Sequence, residues 1–259
     1  MSGWDSAKNW YNDCVGEKGH YYHQAVVLPN ALKLLDLQPK NSLLDLGCGQ
    51  GVLARHLIKD VDYVGVDLSS KLIAEAKKTT KRASTTFISA DASKPLPIEK
   101  TDFDAACFLL CLQNMEHPEN AIANASKHLR EMGKLLIVLN HPCFRIPRQS
   151  GWGIDEQAKL QYRRINSYMS PMKIPLQIHP GKGDQGGITI SYHYPLSQYI
   201  AWLSKYGFVV DLIEEWCSDK TSEGGKARME NRARKEIPLF LTIRALLYKK
   251  TESSHTKAT

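Results

Sequence analysis

Apolar positions in the first half of the chain recur with two alternating periods. Short runs at SLLDL (42–46), YVGVDL (63–68), TTFISA (85–90), FDAACFLL (103–110) and KLLIVLN (134–140) have the length and residue types of buried strands. Between them, HQAVVLPNALKLLDL (23–37), GVLARHLIK (51–59), SKLIAEAKKTTKR (70–82) and PENAIANASKHLREMG (118–133) carry helical spacing. Ser69 or Ser70 suits an N-cap, Pro118 a first-turn position and Gly133 the residue just past a helix end. Strands and helices in alternation predict a parallel sheet covered on both faces.

Past Asn140 the regularity breaks. Residues 141–187 are rich in Pro, Gly, Arg and aromatics, and an irregular stretch of that length in a domain is usually functional or mobile. ITISYHY (188–194) reads as a strand that pairs with KIPLQIH (173–179) across the glycine-rich GKGDQGG. SQYIAWLSKYG (197–207) then predicts a helix capped by Ser197. FVVDLIEEW (208–216) and LFLTIRALL (239–247) are two further strands, joined by a long, basic, helix-prone linker. The expected organisation is one domain over 1–248, with 141–195 as a lid or substrate insertion, and a disordered tail at 249–259.

Composition narrows the classes. At 259 residues with 42% hydrophobic and 24% charged residues, the chain reads as an ordinary globular protein without a membrane span or secretory leader. Its six cysteines form no CxxC pair and several sit in apolar runs. Reduced thiols in a cytoplasmic protein are expected, with no disulfide frame and no metal site. The net charge of +7 would suit an anionic partner, yet the basic residues are scattered, with a share near the end at Lys226, Arg228, Arg232, Arg234 and Lys235. A solvated basic face is the simpler reading, and oligomeric state is not legible.

The stretch LLDLGCGQG, Leu43 to Gly51, carries the chemistry. A triphosphate loop would end in Gly-Lys-Ser/Thr, and this one ends in Gly-Val-Leu. A dinucleotide fingerprint fits Gly47 and Gly49 but meets bulky Val52 where a small residue is needed. The spacing D-x-G-x-G-x-G, from Asp45 to Gly51, accounts for every residue. Asp45 could meet a ligand's ammonium group directly or through water, and Asp67, ending the second strand, could accept two ribose hydroxyls. Ala90-Asp91-Ala92, after the third strand, offers a carboxylate and an amide to an adenine edge.

On these residues the chain resembles the class I S-adenosylmethionine-dependent methyltransferases, and is similar to their small-molecule branch that includes the ubiquinone and menaquinone enzymes. Asp45, Gly47, Gly49 and Gly51 match that family's first motif, Asp67 with Leu68 the second, and Asp91 with Ala92 the third. Leu109 to Gln113 match the segment that lines the methionine end, and Tyr22 lies in the first helix, which covers the cofactor in relatives. The resemblance implies an α/β, Rossmann-like, seven-stranded and mostly parallel sheet with a reversed last strand. It implies S-adenosyl-L-methionine as cofactor and methyl transfer to an O or N atom of a small molecule. An RNA or protein methyltransferase and a non-catalytic S-adenosylmethionine-binding regulator are the alternatives. No appended RNA-binding module is visible, which disfavours nucleic acid as a partner.

The acceptor side is less defined. The D/N-P-P-Y/F motif of base and glutamine methyltransferases is absent after the fourth strand, where Leu110-Cys111-Leu112-Gln113 stands. His141-Pro142-Cys143-Phe144 resembles it but follows the fifth strand. Cys111 and Cys143 have no adjacent base and read as packing residues. A hydroxyl or protonated amine acceptor needs a base. His141, at the end of the fifth strand, and His193, in Tyr192-His193-Tyr194-Pro195, are the catalytic candidates. Arg145, Trp152, Tyr168 and Tyr194 are the substrate candidates, since arginine with aromatics suits an anionic or aromatic acceptor.

Overall fold

A computed structural model describes residues 20–177 and 187–249. After a π-helical turn at His23–Val27, the chain forms α1 (Leu28–Leu35), β1 (Ser42–Leu46), β2 (Asp62–Asp67), α2 (Ser70–Thr79), β3 (Thr85–Ser89) and β4 (Phe103–Leu109). Next come α3 (Pro118–His128), β5 (Leu129–Asn140), β6 (Ser150–Asp155), β7 (Leu160–Ile165), β8 (Met172–Gln177) and β9 (Ile188–His193). The chain closes with α4 (Leu196–Lys205), β10 (Phe208–Trp216), α5 (Ala227–Glu236) and β11 (Phe240–Leu247). Seven strands make one sheet in the order β10-β11-β5-β4-β1-β2-β3. β1 to β5 run parallel, and β11 lies antiparallel to both β5 and β10, so the expected reversed last strand is present.

Period-two alternation sends neighbouring strand residues to opposite faces. Leu43, Cys107 and Leu136 pack with Ala31 of α1 and Ala76 of α2 on one side. Leu44, Ala106 and Ile137 pack with Ile122 of α3 and Leu203 of α4 on the other. Central strands covered on both faces explain why β1 is buried at every position.

Local signals held in part. Ser69 caps α2, its Oγ accepting from the Leu72 N–H at 3.3 Å, and Pro118 opens α3. The helix expected over 51–59 is only a 3₁₀ turn at Leu53–His56, followed by extended Leu57. The return from β1 to β2 is short, and a 3₁₀ turn rises further per residue than an α-helix. The helix expected to run to Gly133 stops at His128, because Leu129 already pairs with Phe103. Between Leu129 and Lys134 the pairing with β4 shifts, and Gly133 serves this bulge: a Cβ there would lie 2.9 Å from the Arg130 carbonyl. Ser197 does not cap α4. The N-cap is Pro195, and the hydroxyl of Tyr168 accepts the Leu196 N–H at 3.0 Å.

The segment after β5 is more regular than expected. β8 and β9 form the anticipated hairpin, and β6 with β7 forms a second one that the sequence did not announce. Its strands bury no residue fully, so no apolar alternation marks them. Of the expected tail only Lys249 falls within the described residues, its N–H donating to Glu131 Oε2 at 2.6 Å.

Candidate active site

The carboxyl ends of β1, β2 and β4 meet at the glycine loop. Gly47 and Gly49 adopt positive φ of 84° and 56°, which glycine alone takes without cost. The loop is tied down by its own amides: those of Gly47 and Cys48 donate to the Val66 carbonyl at 2.7 and 3.0 Å. The Gly49 amide donates to Asp67 Oδ2 at 2.9 Å, and that of Ser69 to Asp67 Oδ1 at 2.8 Å. A Cβ on Gly47 would lie 2.6 Å from the side chain of Cys111, so the loop and the segment after β4 are in close contact.

Above this edge lies a cavity of about 810 Å³. Its volume is in the range of roughly 300–1,000 Å³ usual for cofactor and small-molecule sites. Gly47, Gly49, Asp67 and Leu68 line its floor, with Asp91, Ala92 and Leu109 beside them and Tyr22 above. Burial draws the Asp91 carboxyl upward, but two hydrogen bonds from Ser93 and the nearby Lys94 ammonium hold it below its usual range. Asp91 is therefore an anion at neutral pH.

Two residues of the first motif stand behind the wall. Asp45 is buried and accepts from the Tyr63 hydroxyl at 2.6 Å and the Cys107 thiol at 3.5 Å. Loss of solvent raises its carboxyl to about 6, against those two donors, with the charge of Asp67 adding to the rise. Its oxygens face the core beneath the loop, so direct contact with a ligand in the cavity is replaced by a supporting role. Gly51, at φ 73°, has the Phe87 ring where a Cβ would be, 2.7 Å away at the nearest atom. It is a packing glycine.

Neither histidine expected to be catalytic lines the cavity. His141 is buried, with Nε2 donating to Glu215 at 2.7 Å and Nδ1 accepting from the Cys143 amide at 3.2 Å. Burial lowers its pKa, with Glu215 pulling the other way. His193 is also buried, its Nε2 donating to the Tyr168 carbonyl at 2.7 Å. Burial lowers it as well, opposed by that hydrogen bond. A strand end fixes where a residue sits, not which way its side chain points, and both rings turn into the protein.

Of the expected substrate residues only Arg145 reaches the large cavity. Trp152 lies in a smaller neighbouring one. Tyr168 caps α4, and the ring of Tyr194 packs edge-on to Trp202 with centroids 4.8 Å apart. In their place stand residues that the sequence reading passed over or named only in passing. Asn114, Glu116 and His117 follow β4, and Thr189 and Tyr192 come from β9. The rule that directed attention to the end of β5 applies equally to the end of β4, and would have found His117.

His20 and His23 complete the wall near Tyr22. Burial, with the charges of Lys220 and Arg145, lowers His20. Burial lowers His23 to about 4, with His20 adding to the effect, so its imidazole is neutral at pH 7. Its Nδ1 is buried without a partner among the described residues.

A family model described as a methyltransferase domain matches residues 44–137, the segment that carries the loop and all three acidic strand ends. Residues 44–137 therefore form a methyltransferase domain, of the class I S-adenosylmethionine-dependent kind. It is 27% identical over 187 residues to the 2-phytyl-1,4-naphtoquinone methyltransferase of Trichormus variabilis, covering 64% of this chain and 80% of that one. It is 30% identical over 111 residues to the 18S rRNA (guanine(1575)-N(7))-methyltransferase of Saccharomyces cerevisiae, covering 40% of each. The chain spans 32% to 47% of the length of the first curated relatives it matches. A solved S-adenosylmethionine-dependent methyltransferase from Mesorhizobium loti shares the fold at a TM-score of 0.65 and 23% identity, covering 86% of this chain and 98% of that one.

S-adenosylmethionine is the cofactor of this family, and the residues present fit it. The Asp67 carboxylate accepts a backbone amide at each oxygen and faces the cavity with the acceptor-only chemistry that a pair of hydroxyls needs. Gly49 presents bare backbone to the cavity, and exposed Leu68 offers an apolar face to a purine. The orphaned Nδ1 of His23 gives a polar group at the Tyr22 end something to bond.

Proposed function

We propose that the protein transfers a methyl group from S-adenosylmethionine to an oxygen or nitrogen atom of a small molecule. The observation that carries this reading is the continuity of the large cavity. One space runs from Gly49 and Asp67 to Arg145, Thr189 and Tyr192 of the segment after β5. Donor and acceptor can therefore share a single desolvated compartment, as an in-line displacement requires.

Bound in this cavity, the cofactor supplies an electrophilic methyl group on a sulfonium. Asp67 would hold the ribose hydroxyls, Asp91 and Ala92 would face the adenine, and Tyr22 with neutral His23 would close the methionine end. Thr189 and Tyr192 exclude water and orient the acceptor. Where that acceptor is a hydroxyl or a protonated amine, a base has to take its proton. Three imidazoles line the cavity, those of His20, His23 and His117, and His117, beside Glu116, is the one we assign to this step in place of His141 and His193.

Calorimetry with S-adenosylmethionine and S-adenosylhomocysteine, followed by labelled-methyl transfer to a panel of phenols, quinols and amines, tests the reading. Saturable binding of both nucleosides and transfer to one acceptor class are expected. A chain that binds neither nucleoside refutes it.

The relationship to an rRNA enzyme and the net charge of +7 favour one second reading, a methyltransferase acting on RNA. Binding to bulk RNA that weakens steeply with salt, together with label entering RNA and no small acceptor, would select it.

A further inference from the structure

Beside the large cavity lies a second one of about 280 Å³. Three arginines from separate elements converge on it: Arg145 after β5, Arg163 from β7 and Arg234 from α5. Trp152 of β6 forms one wall, and among the described residues no carboxylate lines the space. Arg145 and Tyr22 line both cavities, so the two adjoin at these residues.

Three like charges around one small space repel one another unless something neutralises them. Among the described residues none of the three is in an ion pair. Each is held instead by neutral acceptors, which orient the guanidinium and, among the described residues, leave its charge uncompensated. Arg145 donates to the Leu239 carbonyl at 3.3 Å and stacks 5.3 Å above the Phe240 ring. Arg163 donates to the Phe144 carbonyl at 2.7 Å and to Ser150 Oγ at 2.9 Å, with its guanidinium 5.1 Å over Trp152. Arg234 donates to Ser222 Oγ at 2.9 Å, while its Nε is buried with no partner among the described residues. A buried guanidinium nitrogen with nothing to bond is costly and marks a place for an acceptor.

We propose that this second cavity is an oxyanion subsite, in which Arg145, Arg163 and Arg234 hold the phosphate or carboxylate group of the methyl acceptor while its reactive atom lies in the large cavity. Guanidinium forks suit both groups, which present paired oxygens to paired N–H donors. The face of Trp152 lies beside the charged group, where a planar portion of the same ligand can stack. The assignment of the anion to the acceptor rests on the methyl-transfer reading above. The anion site itself does not.

The test is calorimetry on the full chain with phenyl phosphate and with benzoate, at ionic strength held constant with sodium chloride. Saturable binding of at least one is expected, and the preferred one identifies the group. Arg163→Gln and Arg234→Gln should each weaken it about tenfold to a hundredfold, the loss of a charge-assisted hydrogen bond. Affinity for S-adenosylhomocysteine should stay unchanged in both. If Arg234→Gln has no cooperative melting transition, Arg234→Met is read in its place: folded with weakened anion binding supports the subsite. Absence of saturable binding of both anions, or wild-type affinity in a folded Arg234 variant, overturns the subsite. A wild-type chain that binds the anion but not S-adenosylhomocysteine refutes methyl transfer and leaves the subsite standing.

Discussion

The backbone amide of Gly49 donates to the carboxylate of Asp67 at 2.9 Å, so the glycine loop after β1 is latched to the end of β2. The residue offered to the ribose is also the residue that sets the loop's shape. Replacing Asp67 with alanine removes both roles. Affinity for S-adenosylmethionine should fall about thirtyfold to a thousandfold, or about 2–4 kcal/mol. Calorimetry on the variant checks this, and unchanged affinity would remove Asp67 from the cofactor site.

His141 and His193 should behave as structural residues. Gln in place of either loses a hydrogen bond from a buried ring and should cost about 1–3 kcal/mol of stability, measured by denaturant unfolding. Cofactor affinity should hold within about twofold, an effect of a few tenths of a kcal/mol. By contrast, His117→Gln should leave stability alone and reduce turnover about a hundredfold if it takes the acceptor's proton. A hundredfold loss in His141→Gln with normal stability would reverse the assignment.

Two buried groups oppose each other in pH. Asp45 titrates near 6 in the folded chain against a usual 3.8, so the stability it contributes is present at low pH and is lost as pH rises through about 6. His23 titrates near 4 against a usual 6.5, so its contribution is present at neutral pH and is lost as pH falls toward 4. Each amounts to about 3 kcal/mol by linkage, with opposite sign over the same window. Asp45→Asn should therefore unmask acid destabilisation, and His23→Gln should unmask acid stabilisation. Unfolding midpoints between pH 4 and 7 that run parallel in all three proteins would refute the pairing.

Gly51→Ala combines a positive φ of 73° with a clash against Phe87. A loss of about 2–4 kcal/mol is expected from strain and overpacking together. Phe87→Leu in the same chain should restore the part due to the clash and not the part due to the backbone. Thermal melts of the single and double variants separate the two.

The sheet was legible because its signals are local. Runs such as KLLIVLN are buried on both faces and need no partner to be recognised, and the alternate glycines admit few backbone shapes. Asp67 followed from its position at a strand end. Side-chain direction did not, which is why the expected His141 and His193 lie off the cavity while His117, on its wall, was passed over. The β6–β7 hairpin was hidden because Arg163 and Arg164 interrupt any apolar alternation in β7. The contribution of Arg234 depends on α5 packing against β7, a contact between segments about seventy residues apart, and no window of sequence contains it.

Tyr168 is engaged twice at one point: its carbonyl accepts from His193, and its hydroxyl accepts the Leu196 amide at the start of α4. Mechanically this rivets the His193 end of the β8–β9 hairpin to the body of the protein. The Lys173 ammonium adds a second tie, to Glu116 Oε1 at 2.9 Å, and β9 packs on the turn at Leu112–Asn114. Ile188 and Ile190, which line the large cavity, belong to the same strand. This side of the cavity is accordingly a braced two-stranded beam, whose stiffness is set by its cross-strand pairs and by these ties.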